Sequence, residues 1–304
     1  MDNVVEVKNL TKRFGKFTAV SNISFTIKEG EIVGFLGQNG AGKTTTINML
    51  LGLLTPTKGT VRILGHDLSK ERSKVLEQMN FSSSYVKMPW RLTVWENLFT
   101  YALLYNVKNP KQRIAQLLKI FEIEDLKDKQ AGFLSAGQTT RVALSKAFIN
   151  NPRLVLLDEP TASLDPDIAE KVRDFLKKIQ KEEKVTMLFT SHNMAEVEDV
   201  CDRVIFIQNG KIIAQDTPAG LAKRIKTSKV RFMMIDGMKR TIEYCKEYKY
   251  PYQEDGRYIT ISVKEHKIAE FINNLAKKGI SYSEITIDKP SLEDYFLSQT
   301  YENK

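Results

Sequence analysis

Short apolar runs alternate with helix-period runs over the first two thirds of the chain. Val4 to Leu10, Ile23 to Lys28 and Glu31 to Leu36 read as strands, with Glu29-Gly30 turning between the last two. A helix is predicted from Lys43 to about Leu51 and a strand over Thr60 to Leu64. Thr93 to Tyr105, Gln112 to Phe121 and Gln138 to Ile149 carry helical apolar spacing, the last bounded by Pro152. Leu154 to Leu157 is continuously apolar and ends on an acid, the pattern of a strand buried on both faces of a parallel sheet. Val185 to Phe189 repeats it after a helix over Asp167 to Gln180. Val204 to Ile207, Asn209-Gly210, then Lys211 to Ala214 form a hairpin, because Asn-Gly tolerates the positive φ of a type I′ turn. These elements predict an α/β sheet core with an antiparallel part and a helical insertion over about 90–150.

The pattern changes near Lys226, which divides the chain into domains 1–225 and 226–304. Lys229 to Ile235, Lys239 to Tyr244, Arg257 to Val263 and Ile280 to Ile287 read as strands. Glu265 to Lys278 and Leu292 to Ser298 read as helices. The second piece is therefore expected to be a small α+β domain with a modest core of its own.

Composition narrows the class. With 42% hydrophobic and 27% charged residues, the 304-residue chain is an ordinary globular mixture, which excludes wholesale disorder. No apolar run approaches the roughly 18 residues needed to span a bilayer, so the chain cannot form a membrane pore alone. Any membrane role must come through a partner. The net charge of +9 suits a polyanionic partner, or merely solubility, since the cations are scattered. The opening MDNVVEVKNL lacks the features of a secretory signal. Cys201 and Cys245 form no CxxC pair, which fits a reducing, cytoplasmic setting.

Two elements carry chemistry. Gly37-Gln38-Asn39-Gly40-Ala41-Gly42-Lys43-Thr44 follows a predicted strand and opens a predicted helix, the context that a phosphate-binding loop requires. Its glycines let backbone N–H groups turn toward phosphate oxygens, and the helix start adds partial positive charge. Lys43 can reach the β- and γ-phosphates, and the Thr44 hydroxyl can ligate Mg²⁺. Thr45 either reaches the α-phosphate or simply opens the helix. The second element is Asp158-Glu159-Pro160, at the carboxyl end of the buried strand, where such sheets bind ligands. Asp158 suits a Mg²⁺ contact, and Glu159 a general base acting on the attacking water.

Between them lies Leu134-Ser135-Ala136-Gly137-Gln138, with Arg141 one turn on. It resembles the signature motif of ATP-binding cassette (ABC) ATPases, usually written LSGGQ, with Ala136 in place of the first Gly. The resemblance extends over about residues 4–220. It implies a P-loop cassette with a mixed sheet core, an antiparallel β subdomain and the helical insertion, binding ATP and Mg²⁺. It also implies that Ser135, Gly137 and Gln138 meet the γ-phosphate held by a second, head-to-tail ATP-binding subunit, expected to be another copy of this chain. Ala162-Ser163-Leu164-Asp165 resembles the family's D-loop, and Asp165 also suits a helix cap. His192 falls at the switch histidine. Phe14 falls at the aromatic that stacks on adenine, with Phe17 as the alternative. Ser84 stands where the family usually has a glutamine that reaches Mg²⁺. Met88, Trp90 and Trp95 lie where the family receives its membrane subunits.

The ending Pro290-Ser291-Leu292-Glu293-Asp294-Tyr295-Phe296-Leu297 is similar to that of drug-, antibiotic- and polymer-exporter subunits. The resemblance therefore implies an exporter ATPase at the cytoplasmic face of the membrane, working on a polytopic permease, with no nucleic acid expected. A soluble mechanical role on DNA or ribosomes and a non-hydrolysing regulatory module are the alternatives. Against the first, only one phosphate loop occurs. Against the second, Glu159 and His192 are both present.

Overall fold

The computed structural model describes residues 2–83 and 88–301, with side chains described as far as residue 299. Ser84 therefore lies outside the described residues. The chain falls into two compact units that divide between Pro218 and Ala219, on the N-terminal side of the break in sequence pattern.

The first unit holds β1 (Asn3–Phe14), β2 (Phe17–Lys28), β3 (Ile32–Leu36), α1 (Lys43–Leu50), β4 (Lys58–Ile63), β5 (His66–Asp67), α2 (Arg72–Leu76) and β6 (Met79–Ser83). It continues through α3 (Val94–Leu104), α4 (Pro110–Ile120), α5 (Ala136–Ala147), β7 (Leu154–Asp158), α6 (Pro166–Glu183), β8 (Thr186–Thr190), α7 (Met194–Val200), β9 (Arg203–Gln208) and β10 (Lys211–Asp216). An antiparallel sheet runs β2-β1-β4-β5, and a mixed sheet runs β10-β9-β3-β8-β7-β6. All pairings in the mixed sheet are parallel except β9 with β10. Leu154 to Leu157 are buried, as a strand covered on both faces requires. The β9–β10 turn has Asn209 at φ 49° and Gly210 at φ 73°, both in the left-handed region. It packs on the phosphate loop, with Gly210 N–H donating to Ala41 O over 2.9 Å.

The helices α3, α4 and α5 build the insertion. Thr93 caps α3 through a reciprocal bond with Glu96. Phe121, Phe148 and Phe175 form an edge-to-face cluster, with centroids 5.1 and 5.2 Å from Phe175, tying the insertion to α6. Arg141 Nη1 donates to the carbonyls of Phe121 and Glu122, satisfying the end of α4 and fixing α5 beside it. Along α6, Ala169, Val172, Leu176 and Ile179 repeat at helical spacing and are buried. Complete burial of each large side chain contributes about 1.5–3 kcal/mol.

Lys146, at the end of α5, is buried. Its ammonium donates to Phe81 O over 2.7 Å and lies 5.6 Å from the Tyr101 ring centroid. Burial pushes it down to about 8. Between about 8 and its ordinary 10.5 the unfolded chain binds more protons than the folded one, so stability rises with pH there. The penalty below pH 8 is about 3 kcal/mol. Measured against Lys146→Met, which shares the opposing effect of the raised Cys201 and Cys245 thiols above pH 9, the melting temperature of the unsubstituted chain is expected to gain steadily from pH 7.5 toward pH 10. An unchanged slope in the variant would assign the effect to other groups.

The helix α8 (Pro218–Ala222) spans the division. The second unit then holds β11 (Thr227–Asp236), α9 (Met238–Glu247), β12 (Tyr252–Asp255), β13 (Tyr258–Lys264), α10 (Ile268–Lys277), β14 (Ser281–Asp288) and α11 (Leu292–Tyr301). Its antiparallel sheet runs β12-β13-β11-β14. Val230, Phe232, Ile259 and Ile261 pack against Tyr244, Phe271 and Leu275 from α9 and α10. The expected strand over Lys239 to Tyr244 is corrected here, because these residues lie in α9. Gly237, in the left-handed region, starts the helix, and Thr241, Tyr244 and Cys245 form its buried stripe. The apolar spacing at three and four residues, not two, decides the element. Both cysteines are buried and free, and burial raises both thiols.

Candidate active site

The strand β3 delivers the phosphate loop, and α1 begins at Lys43 directly behind it. A Cβ on Gly37 would sit 2.2 Å from Ile207 O, so only glycine lets the loop lie against β9. Gly42 precedes α1 at φ 109°. No acidic residue occupies the first turn of α1, so the partial positive charge of its start is unopposed there. Lys43 arches over the loop and donates to the carbonyls of Gly37 and Gln38. Burial lowers its pKa, while Glu159 and Asp158 act to raise it.

Across the sheet, Ser83, Asp158 and Thr190 pair in one row at the carboxyl ends of β6, β7 and β8. The Asp158 carboxylate is held from both sides. Thr190 Oγ1 donates to Oδ1 over 2.6 Å, and Ser83 Oγ donates to Oδ2 over 3.3 Å. The next residue, Glu159, has φ 53° in the left-handed region, at a cost of order 1–3 kcal/mol. Its N–H donates to Thr190 O over 3.1 Å. Its side chain is only 15% exposed and meets His192 twice. His192 Nε2 lies 3.3 Å from Oε1, and His192 N–H donates to Oε2 over 3.3 Å. Burial raises the Glu159 carboxyl, the neighbouring Asp158 acts in the same direction, and His192 and Lys43 oppose. A carboxyl raised in this way and facing a cleft has the properties of a general base.

These groups surround a cleft of about 580 Å³. Of the predicted residues, Gln38, Asn39, Gly40, Gly42, Lys43, Thr44, Thr45, Asp158, Glu159 and His192 line it, while Gly37 and Ala41 are buried in the phosphate-loop backbone. Phe17, not Phe14, lines the cleft. The two pair across the β1–β2 turn, and Lys12 Nζ lies 5.1 Å from the centroid of the Phe14 ring. Ser135, Gly137, Gln138 and Asp165 do not line the cleft. Ser135 caps α5, exchanging bonds with Gln138, whose side chain also accepts from Lys129. The helix thus starts at Ala136, two residues before the predicted start. Gly137 approaches the turn after β7 closely, since a Cβ there would lie 3.0 Å from Ser163 O. Asp165 occupies the cap position of α6 without a side-chain capping bond.

The sequence reading passed over Ser83, Thr161, Thr190 and Glu196. Thr190 had a usable signal, since it ends a buried strand two residues before His192. Among the described residues no group of three or more histidine, cysteine or acidic side chains converges on a metal site. The Thr44 hydroxyl and Asp158 carboxylate, both hard oxygen donors facing the cleft, instead fit a cation shared with phosphate oxygens.

A nucleotide-hydrolysing cassette is the class of protein that this fold and cleft define. The comparisons make the assignment specific. The ABC transporter family profile matches residues 20–162. The uncharacterised ABC transporter ATP-binding protein YhcH of Bacillus subtilis (strain 168) is 32% identical, covering 100% of this chain and 98% of that protein. The bacitracin transport ATP-binding protein BcrA of Bacillus licheniformis is 32% identical, covering 98% and 97%. A solved ATP-binding cassette, a dimer in a post-hydrolysis state bound to ADP and Pi, is 28% identical with TM-score 0.64. It covers 70% of this chain and 98% of that one. The chain belongs to the ABC transporter family, as an ATP-binding, ATP-hydrolysing subunit of the exporter type.

Proposed function

We propose that two copies of this chain close head-to-tail around two ATP molecules and drive a polytopic permease from the cytoplasmic face of the membrane. The observation that carries this reading is the division of the motifs within one chain. The phosphate loop, Asp158, Glu159 and His192 share one cleft, whereas Ser135, Gly137 and Gln138 lie outside it. The start of α5, capped by Ser135, is then free to meet the γ-phosphate in the cleft of the second copy. Among the described residues no helix is long and apolar enough to cross a membrane, so translocation belongs to a separate subunit. The bacitracin transport function in the name of BcrA favours an exported, antibiotic-like cargo.

Within each site Lys43 and the loop N–H groups bind the phosphates, and Phe17 stacks on the base. Thr44 and Asp158 would hold Mg²⁺, which would supply neutralisation of phosphate charge. Thr190 and Ser83 keep the Asp158 carboxylate oriented. Glu159 takes the proton of the attacking water, and His192 holds the γ-phosphate side of the cleft. Residues 226–304 form an accessory domain that serves dimer contacts or regulation.

The test is capture of the tagged chain from detergent-solubilised native membranes, with mass spectrometry of what accompanies it. A stoichiometric polytopic partner is expected. Recovery only with ribosomal or DNA-associated proteins would overturn the transporter reading.

A further inference from the structure

One buried carboxylate in the cassette has no role in the scheme above. Glu196, in α7, is 9% exposed. Its Oε2 accepts from Thr161 Oγ1 over 2.6 Å and from Ser191 Oγ over 3.0 Å. Its Oε1 lies 3.5 Å from Arg173 Nη1 of α6, and the same guanidinium bonds Asp199 through Nε over 3.1 Å. Both hydroxyl partners are themselves buried. Thr161 stands two residues after Glu159, and its carbonyl accepts from Leu164 N–H, so it roots the turn Ala162–Asp165. Ser191 directly precedes His192, and its hydroxyl also accepts from Asn193 N–H over 3.0 Å.

We propose that Glu196 is a positioning residue. It ties the turn after Glu159 to the loop carrying His192, so that the two groups acting on the water and the γ-phosphate keep their spacing. Thr190 already staples the ends of β7 and β8 through backbone and hydroxyl, but that link stops at Glu159 N–H. Beyond that point the Glu159 carboxylate meets His192 directly, and Glu196 adds a second link, from Thr161 in the turn after Glu159 to Ser191 beside His192. A charged acceptor shared by two buried hydroxyls makes short, strong bonds, and losing it strands both donors. A shift of the Ala162–Asp165 turn is thereby transmitted to His192. The inference rests on the reading of Glu159 and His192 as the hydrolytic pair.

The experiment compares Glu196→Ala, Glu196→Gln and Thr161→Val in the full chain, by steady-state ATP hydrolysis and by melting temperature. Glu159→Gln and His192→Ala serve as controls. Glu196→Ala is expected to lower kcat roughly 10- to 100-fold, the range typical for partners that orient active-site groups. KM for ATP should stay close to wild type, because the phosphate loop is untouched. Glu196→Gln keeps an oxygen for both hydroxyls but turns an amide toward Arg173. It should melt lower than wild type and yet recover most of kcat. Thr161→Val is nearly isosteric, so it tests the link even if the alanine variant folds poorly, and it should lower kcat with KM preserved. The proposal is overturned if kcat follows melting temperature across the series, or if Thr161→Val turns over like wild type. If the controls also hydrolyse normally, the hydrolytic pair itself is misassigned and the inference falls with it. Impaired controls beside a normal Glu196→Ala would overturn the inference alone.

Discussion

Glu159→Gln should lower ATP turnover by roughly 10²- to 10⁴-fold, the range that general base catalysis supplies, while nucleotide binding survives. The amide keeps the size of the carboxyl but cannot accept a proton from water. Its surroundings show why the loss should be large. The side chain is mostly shielded from solvent, and burial raises its proton affinity toward the working pH. The substitution also removes one negative charge from a cleft that already holds Asp158, so the ATP phosphates bind at least as well. Bound ATP that is not hydrolysed should hold the two copies together. The variant is therefore expected to sediment as a dimer with ATP and as a monomer without it. Phosphate release, nucleotide binding and sedimentation velocity check the three statements. Turnover within a few-fold of wild type would remove Glu159 from the role of base. An ATP-loaded variant that stays monomeric at high concentration would remove the paired mechanism.

The phosphate loop and the Asp158-Glu159 pair were legible because their chemistry is local. A run of glycines, a lysine and a hydroxyl between a strand and a helix leaves few other structures. The tertiary links were not legible. Glu196 looks like any acid on a short helix, and only the packing of α7 against the turn after β7 reveals its two hydroxyl partners. Phe14 and Phe17 flank the same turn, and which ring faces the cleft depends on the twist of the hairpin, not on spacing. Ser135 and Gln138 have the spacing of a capping box as well as that of the signature motif. Both readings apply to the same atoms, and the cap engages the Gln138 side chain. In the second unit, Lys239 to Tyr244 carries enough β-branched and aromatic character to suggest a strand. Gly237 and the buried stripe of α9 outweigh that preference.

Lys43→Ala should weaken ATP binding by at least about 10²-fold, an effect of about 3 kcal/mol or more. The figure follows from losing two charge-assisted bonds to phosphate, each worth about 1.5–3 kcal/mol. The position of the ammonium supports the size of the effect. It is partly buried, and burial makes it less ready to carry its charge. Phosphate oxygens in the cleft would favour the charged form and offset the cost of its burial, so ligand and lysine favour each other. The truncation also frees the carbonyls of Gly37 and Gln38 that Lys43 now bridges, which loosens the loop around any phosphate still bound. The loss should be specific to the phosphates. Adenosine, which offers only base and sugar, should bind variant and wild type alike, while ATP loses its advantage over adenosine. Calorimetric titrations with both ligands separate the two terms, and a melting curve confirms that the variant is folded. Unchanged ATP affinity in a folded Lys43→Ala chain would mean that Gly37 to Thr44 does not hold the nucleotide. The assignment of the cleft would then fail at its first step, because the roles proposed for Asp158, Glu159 and His192 all require a phosphate presented by this loop.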